Sequence, residues 1–388
     1  MSHSIRTPAR FIFSDRYRNQ GYGNQHPLSI PRVSLTHDLI AAFDGFGPGE
    51  VVESKMASED ELLWFHSPEY IAAMKDVEDR NAVRPEYRKI HNIGNYENPY
   101  FPGFFSTPAT AAGGSIQAAE SLLDGVVAFS PAGGMHHAMP DSANGFCFFN
   151  DPVLAIKRFR LEGVKVLYVD IDAHHGDGVE YAFRDDAAVT TLSLHMNTDY
   201  AYPFRGGQVS DVGALNNAIN LPLLKNLTDS EYDWAFGKIW EKVLQHVEFD
   251  VVVLQAGTDI LTPDPLGKFA ISTQQFLRIV KKIKNTAPHQ NGVSQLIVLG
   301  GGGYHPLSLA RCWLGVWGVL TNQCFPDALP EKARALLRAV EWDLDEDEQC
   351  DERFFQSRFD ADNISETINP AVCEVVRQLI SRHPIFAA

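Results

Sequence analysis

A chain of 388 residues with 45% hydrophobic and 21% charged residues has the composition of a globular protein with a sizeable core, and its net charge of −16 lacks the basic excess that nucleic-acid binding draws on. Five cysteines, at 147, 312, 324, 350 and 373, show no CxxC spacing, which argues against a disulfide framework or a cysteine-ligated zinc site and suits a reducing, intracellular compartment. The N-terminus MSHSIRTPARFIF lacks a signal-like apolar core and no run approaches the roughly 18 apolar residues of a membrane span, so a cytoplasmic protein with no membrane partner is expected.

The first 100 residues are poor in strand signals; HPLSIPRVSLTHDLIAAF (26–43) and SPEYIAAMKDV (67–77) read as helices joined by Pro- and Gly-rich loops that wall a site. From there helix and strand patterns alternate. PATAAGGSIQAAESLLDG (108–125) precedes the apolar run VVAFS, and DPVLAIKRFRLEG (151–163) precedes VKVLYVDID and VTTLSLH. DSEYDWAFGKIWEKVLQH (229–246) precedes FDVVVLQAG, and SQLIVLGG follows from Ser294. The helices open on Pro, Asp or Ser, and the first two close on Gly. Continuous apolar runs suit strands buried on both faces of a parallel sheet, and the alternation predicts an open α/β layer fold. With no repeat, linker or composition break, residues 1–388 read as one domain. Its C-terminal segment, 326–388, carries the acidic run EWDLDEDEQCDE (341–352), which reads as solvated.

The strand ends carry the chemistry. They run into PAGGMHHAMPD, DIDAHHGDG, SLH, QAGTDILTPDP and GGGGYHP, and ligands of open α/β sheets bind outside the carboxyl ends of strands. Leaving a strand, Asp170, Asp172 and His174 alternate and can face one side. Asp172 and His174, with Asp259 from another strand end, make a donor set suited to zinc with an open position. The competing reading has these carboxylates capping a helix over 176–183. His136 and His137 follow two glycines and suit a proton donor and acceptor, with Asp170 and Asp177 available to fix their tautomers; a structural histidine pair is the alternative. LGGGGYHP matches neither a dinucleotide nor a phosphate loop. It reads as a tight strand exit that brings the Tyr304 hydroxyl to an oxyanion, or else as the surround of a buried structural tyrosine.

Together HPLSIPRVSLTH, FHSPEYI, AGGMHHAMPDSANGFCFFND, VLYVDIDAHHGDGVEYAF, TLSLH, NLPL, QAGTD, DPLG and LGGGGYHPLSLARCW resemble the zinc-dependent histone deacetylase family in its broad sense, with acetoin-utilisation proteins and acetylpolyamine amidohydrolases. The resemblance spans about residues 23–320, and GGMHHA is closer to the class I and acetoin-utilisation branch than to class II. It implies an arginase/deacetylase-like three-layer fold with a central, mostly parallel eight-stranded sheet and helices on both faces. It also implies one zinc ion on Asp172, His174 and Asp259. His137 would be general base and then acid, His136 would assist, Asp170 and Asp177 would stand behind them, and Tyr304 would polarise the carbonyl. A potassium ion would involve Asp170, Asp172, His174, Ser193 and Leu194. Phe146, for which plain core is the alternative, and Tyr202 would line an acyl-lysine channel. Arg32 would sit by an acetate-release cavity, or, on the plainer reading, be a solvated helix-start arginine.

Departures from the family pattern gather around substrate contact: Glu97 where relatives often have aspartate, AYPFRGG putting Tyr202 and Arg205 near the rim, Leu266 for a methionine, and Thr258 for an alanine. The expected reaction is hydrolysis of acetyl or another short acyl group from lysine side chains, with acetylated polyamines or other small acylated amines as the alternative substrates. Two further readings are a binuclear manganese ureohydrolase of the arginase type and a silent acyl-lysine binding module. The first finds only Asp264, after a gap, as a second aspartate near Asp259; the second predicts loss of Tyr304 or a histidine, and all are present.

Overall fold

The computed structural model describes residues 6–19, 21–23, 26–342 and 351–387. Most of the acidic run, 343–350 with Cys350, therefore lies outside the described residues. The strands are β1 (Ala9–Phe13), β2 (Val51–Glu53), β3 (Val127–Ser130), β4 (Val166–Asp170), β5 (Val189–Met196), β6 (Ala218–Leu223), β7 (Val251–Gln255), β8 (His289–Gln290), β9 (Val293–Ser294) and β10 (Leu296–Leu299). The helices are α1 (Arg32–Ala42), α2 (Glu59–Leu62), α3 (Pro68–Arg80), α4 (Pro85–His91), α5 (Ser106–Leu123), α6 (Asp151–Leu161), α7 (Asp177–Phe183), α8 (Asp229–His246), α9 (Thr273–Thr286), α10 (Pro306–Thr321), α11 (Glu331–Arg338) and α12 (Pro370–Arg382).

Eight strands form one sheet in the order β2-β1-β3-β10-β7-β4-β5-β6, and every pairing in it is parallel. The expected sheet is thus present and wholly parallel. Strands β3, β4, β5, β6, β7 and β10 are buried at every residue, as strands covered on both faces must be. The five apolar runs are five of these six.

Three strands of the eight-stranded sheet escaped the sequence pattern, as did the two-residue strands β8 and β9. The first two, β1 and β2, lie in the region expected to be helix and loop; Arg10 interrupts the apolar run of β1, ARFIF, and β2, VVE, has only three residues. In β6, AINLPL, Asn220 and Pro222 interrupt the apolar run, and its place at the sheet edge tolerates the missing N–H of a proline. The 26–43 segment also divides: a short 3-10 turn at Pro27–Ser29 is separated from α1, whose N-cap is Pro31.

Helix α10 is buried almost throughout and locks the sheet. Trp313 packs its ring edge against Phe129 (centroids 6.0 Å) and Trp317 against Phe11 (5.7 Å), while their indole N–H groups donate to the carbonyls of Ala256 and Gly45. A second cluster of buried aromatics, including Tyr22, Tyr70, Phe101, Phe104 and Phe148, fills the space beneath the N-terminal loops. These loops wall the site as expected. Among the described residues no helix is long and apolar enough to cross a membrane.

Candidate active site

Strand β4 stops at Asp170, so strand alternation is not what brings Asp172 and His174 together. A turn does it: the Asp172 N–H donates to Asp170 Oδ1 (3.0 Å) and the His174 N–H to Asp172 Oδ1 (2.9 Å). Asp259, beyond the end of β7, completes the group. The ligand atoms of Asp172, His174 and Asp259 lie within 4.8 Å of one another, and among the described residues this is the one such cluster. His174 Nδ1 is 2.8 Å from Asp259 Oδ2 and 3.3 Å from Asp172 Oδ1. The remaining oxygens accept from backbone: Ala173 N–H to Asp259 Oδ1 (2.9 Å) and Gly302 N–H to Asp172 Oδ2 (2.6 Å).

Two glycines permit this approach. A Cβ on Gly257 would stand 2.0 Å from Asp172 Oδ2, and one on Gly302 would stand 2.2 Å from Asp259 Oδ2. Asp172 and Asp259 are 1% and 0% exposed. Burial, then the Asp172 charge, pushes Asp259 up to about 6, the signature of two carboxylates that resist ionising together. A divalent cation would neutralise both, and an O, N, O donor set at the base of a cavity fits zinc with an open position.

The adjacent histidines stand beside this cluster. Asp170 Oδ2 is 2.8 Å from His136 Nδ1 and also accepts from the Tyr168 hydroxyl (2.8 Å). Asp177 Oδ1 is 2.8 Å from His137 Nδ1, and the two Nε2 atoms lie 3.0 Å apart. Burial, reinforced by the His136 charge, pushes His137 down to about 4, against the pull of Asp177. Burial opposes charge on His136 too, yet Asp170 and Asp172 carry it up to about 9. The two rings are thus pushed in opposite directions, which suits His137 to stay neutral with its Nδ1–H on Asp177. The helix foreseen over 176–183 does form, as α7, but its N-cap, Gly176, makes no side-chain cap bond; the carboxylate of Asp177 reaches His137 instead.

A cavity of about 460 Å³ leads to this floor, lined by Glu97, Phe146, Tyr202 and Leu266 together with His137, His174 and Tyr304. Phe146 is on the wall rather than in the core. Its backbone, at φ +69°, is held by Asn98 Oδ1 on its N–H (3.0 Å) and the Tyr22 hydroxyl on its carbonyl (3.2 Å), and its ring meets Tyr304 edge-on (6.1 Å). Tyr202 donates to Asn144 Oδ1 (2.5 Å) and packs edge-on against His137 (4.8 Å). Glu97 Oε1 accepts from the Gly145 N–H (2.7 Å), bracing the loop that carries Phe146.

The chain is similar to known proteins over most of its length. The pattern of the histone deacetylase domain matches residues 26–320. The chain belongs to the histone deacetylase family. It is 36% identical over 317 residues to histone deacetylase 9 of Arabidopsis thaliana (80% of this chain, 72% of that one). It is 32% identical to the acetoin utilization protein AcuC of Bacillus subtilis (80% and 82%) and 34% to human histone deacetylase 1 (80% and 64%), so it spans under two thirds of the human protein's length. A solved structure of an HDAC homolog complexed with SAHA superposes with a TM-score of 0.91 at 37% identity, covering 96% of this chain and all of that one. An HDAC homolog from Aquifex aeolicus gives 0.90 at 36%, with the same coverage. The fold is the arginase/deacetylase fold of this family, and the chain is a deacetylase.

Other residues singled out in the sequence fall as follows. Arg32 is 7% exposed, not solvated: it donates to the Gly301 carbonyl (2.6 Å) and borders a small cavity of about 20 Å³ that His136 and His137 also line. Ser193 is the register partner of Asp170 across β4 and β5, and Leu194 follows it. Arg205 is 3.6 Å from Asp177 Oδ2 but lines a separate cavity, with His175 and Glu180. His175 turns away from the cluster and packs on His195 (4.7 Å).

Asp264 has a role that sequence reasoning missed. It accepts from the Tyr304 N–H (2.7 Å) and from Leu266 and Gly267 N–H (2.9 Å each), and so positions both the tyrosine and the channel wall. It is absent from the ligand cluster, which leaves the two-metal reading without its second aspartate. The DP step after TDILTP was its only sequence signal. Also unforeseen were the buried Met196 on the channel wall and Tyr96, Tyr200, Phe204, Lys225 and Lys268 around the mouth, drawn from segments with no shared motif.

Proposed function

We propose that this deacetylase removes acetyl or another short acyl group from lysine side chains of proteins or peptides, with one zinc ion held by Asp172, His174 and Asp259. The observation that carries the reading is the convergence of that donor set, the His137–Asp177 pair and Tyr304 at the end of one channel. Zinc, when bound, supplies a Lewis acid that acidifies water and polarises a carbonyl. His137, neutral and with Nε2 free of a proton, takes the proton of the attacking water; Asp177 holds Nδ1–H and stabilises the imidazolium that results. His137 then returns the proton to the leaving amine. His136, held by Asp170 and with its Nε2 3.0 Å from that of His137, assists electrostatically. Tyr304, whose ionisation burial pushes well up, remains a hydroxyl donor to the acyl oxygen as negative charge develops.

Phe146, Tyr202 and Leu266 enclose the methylene stem, and Glu97 steadies that wall. A potassium ion beside the zinc loop, with Asp170, Asp172, His174, Ser193 and Leu194 contributing, is supported by the pairing of Asp170 with Ser193. An outlet for acetate at Arg32 is supported by the small cavity that its guanidinium borders. A cytoplasmic setting and a single catalytic domain over 1–388 complete the reading; free Cys147, Cys312, Cys324 and Cys373 support the first.

Deacylation of acetylated polyamines or other small acylated amines would use the same floor. The test is a turnover panel of acetyl-lysine peptides, longer acyl-lysines and acetylated polyamines at fixed zinc, before and after chelation. Peptide turnover that is lost on chelation and restored by zinc is expected; full activity of metal-free protein refutes the proposal.

A further inference from the structure

We infer that the mouth of the channel favours acyl-lysines flanked by a carboxylate and disfavours polycationic acylamines, an inference that rests on the deacylase reading above. In a chain of net charge −16, the mouth carries two lysines, Lys225 and Lys268, and one carboxylate, Glu97. The carboxylate is engaged: Oε1 accepts from the Gly145 N–H (2.7 Å), and Oε2 faces the Asn92 amide (3.5 Å). The ammonium groups are not neutralised. Lys225 Nζ lies over the Tyr200 ring (4.3 Å) and Lys268 Nζ donates to the Pro265 carbonyl (2.6 Å); neither has an acidic partner among the described residues.

The two lysines share one wall because their segments are bonded side by side, Asn226 N–H to the Lys268 carbonyl (2.6 Å) and Ala270 N–H to the Leu227 carbonyl (2.9 Å). The other mouth residues soften neither charge: Leu266 is apolar, and Tyr96 and Phe204 are uncharged aromatics. An acetylated polyamine entering acyl end first trails ammonium groups past Lys225 and Lys268 and meets one carboxylate, Glu97, which the two lysines outnumber and which is held by neutral donors. A carboxylate beside the acyl-lysine meets two donors. Two chemical sources share that group: an acidic residue next to the acyl-lysine in a peptide, or the free α-carboxylate of the acylated amino acid itself. Exposed charge contacts of this kind are weak and screened by salt, so the preference resides in KM and not in the chemical step.

The experiment uses the full-length, zinc-loaded chain. Its substrates are acetyl-lysine peptides that differ only in a flanking Asp, Ala or Lys, free Nε-acetyl-lysine, and monoacetylated spermidine. The expected KM rises from Asp to Ala to Lys, spanning roughly tenfold at low salt, as two weak contacts together give, with acetylspermidine poorest. The spread shrinks in high salt, inverts in K225E/K268E and persists in K225R/K268R. An advantage for free Nε-acetyl-lysine with no effect of flanking residues assigns the α-carboxylate and supports the inference. Preference of the parent for the Lys-flanked peptide or acetylspermidine overturns it, as does a preference for Asp that survives in K225E/K268E. Absence of turnover for every substrate overturns the deacylase reading itself, an outcome distinct from turnover without charge selectivity, which overturns only this inference.

Discussion

At the floor of the channel Asp170, Asp172 and Asp259 are at most 1% exposed, and each of their six carboxylate oxygens faces a backbone N–H, an imidazole or a hydroxyl. At the mouth Tyr96 and Phe204 are 77% and 67% exposed, and Lys225 and Lys268 rest on a ring and a carbonyl. The floor is a preorganised polar network in a dry interior, where removing one partner strands another. The mouth is solvated, so each contact there is small and replaceable. Changes at the floor should therefore reduce metal content or kcat, and changes at the mouth should move KM.

The largest effect that would sharpen this contrast is loss of a ligand. Asp259→Ala or His174→Ala is expected to abolish metal retention, measured by elemental analysis, and to bring deacylation to background; a variant that keeps both breaks the assignment of the cluster. Gly302→Ala should do nearly the same without removing a ligand, because its Cβ would intrude on Asp259. Tyr304→Phe should retain the metal and lower kcat by about 10²–10³, the loss typical of a single oxyanion donor. Activity equal to the parent would remove Tyr304 from the chemistry.

Asp177→Asn should cost about ten- to a hundredfold in kcat, as loss of an orienting partner does. Its pH profile carries a further mark. Asp177 holds His137 up against burial. The variant's base therefore stays neutral to lower pH, and an acid limb of kcat/KM set by His137 should move down; an upward shift contradicts the pairing.

At the mouth, Phe204→Ala or Tyr96→Ala should change KM by less than about tenfold, in keeping with exposed contacts; a collapse of kcat would erase the distinction between floor and mouth. The smallest effect concerns Glu180, behind the floor, which burial pushes up to about 7 while Oε2 accepts from the Asn220 amide (2.6 Å). A raised carboxyl contributes stability that is present below its unfolded pKa of about 4.5 and lost as pH rises through about 7. Glu180→Gln keeps the acceptor and removes the penalty. It should melt a few degrees above the parent at pH 8 and level with it near pH 4; lower stability at pH 8 would show that the ionised form is favoured.

Much of the floor was legible because its chemistry requires given residue types at short spacing. DIDAHHGDG and GGMHH each supply two or more of the converging groups and QAGTD supplies Asp259, and the buried apolar runs before them placed the motifs at strand ends. The same logic misjudged one detail: alternation was invoked for Asp172 and His174, where side-chain-to-backbone bonds curl the chain past the end of β4. Short or edge strands, β1, β2 and β6, left no periodic trace.

The sequence by itself determined the α/β layering, the family and the motifs that carry Asp172, His174, His136, His137 and Asp259, since these depend on local spacing and on strands apolar on both faces. Tertiary structure alone decided the sheet order that sets β10 between β3 and β7, the bracing of Tyr304 and Leu266 by Asp264, and the mouth. The mouth unites residues near 96, 146, 200, 225 and 268. No spacing along the chain encodes that union; it exists only because parallel strands return each loop to the same end of the sheet.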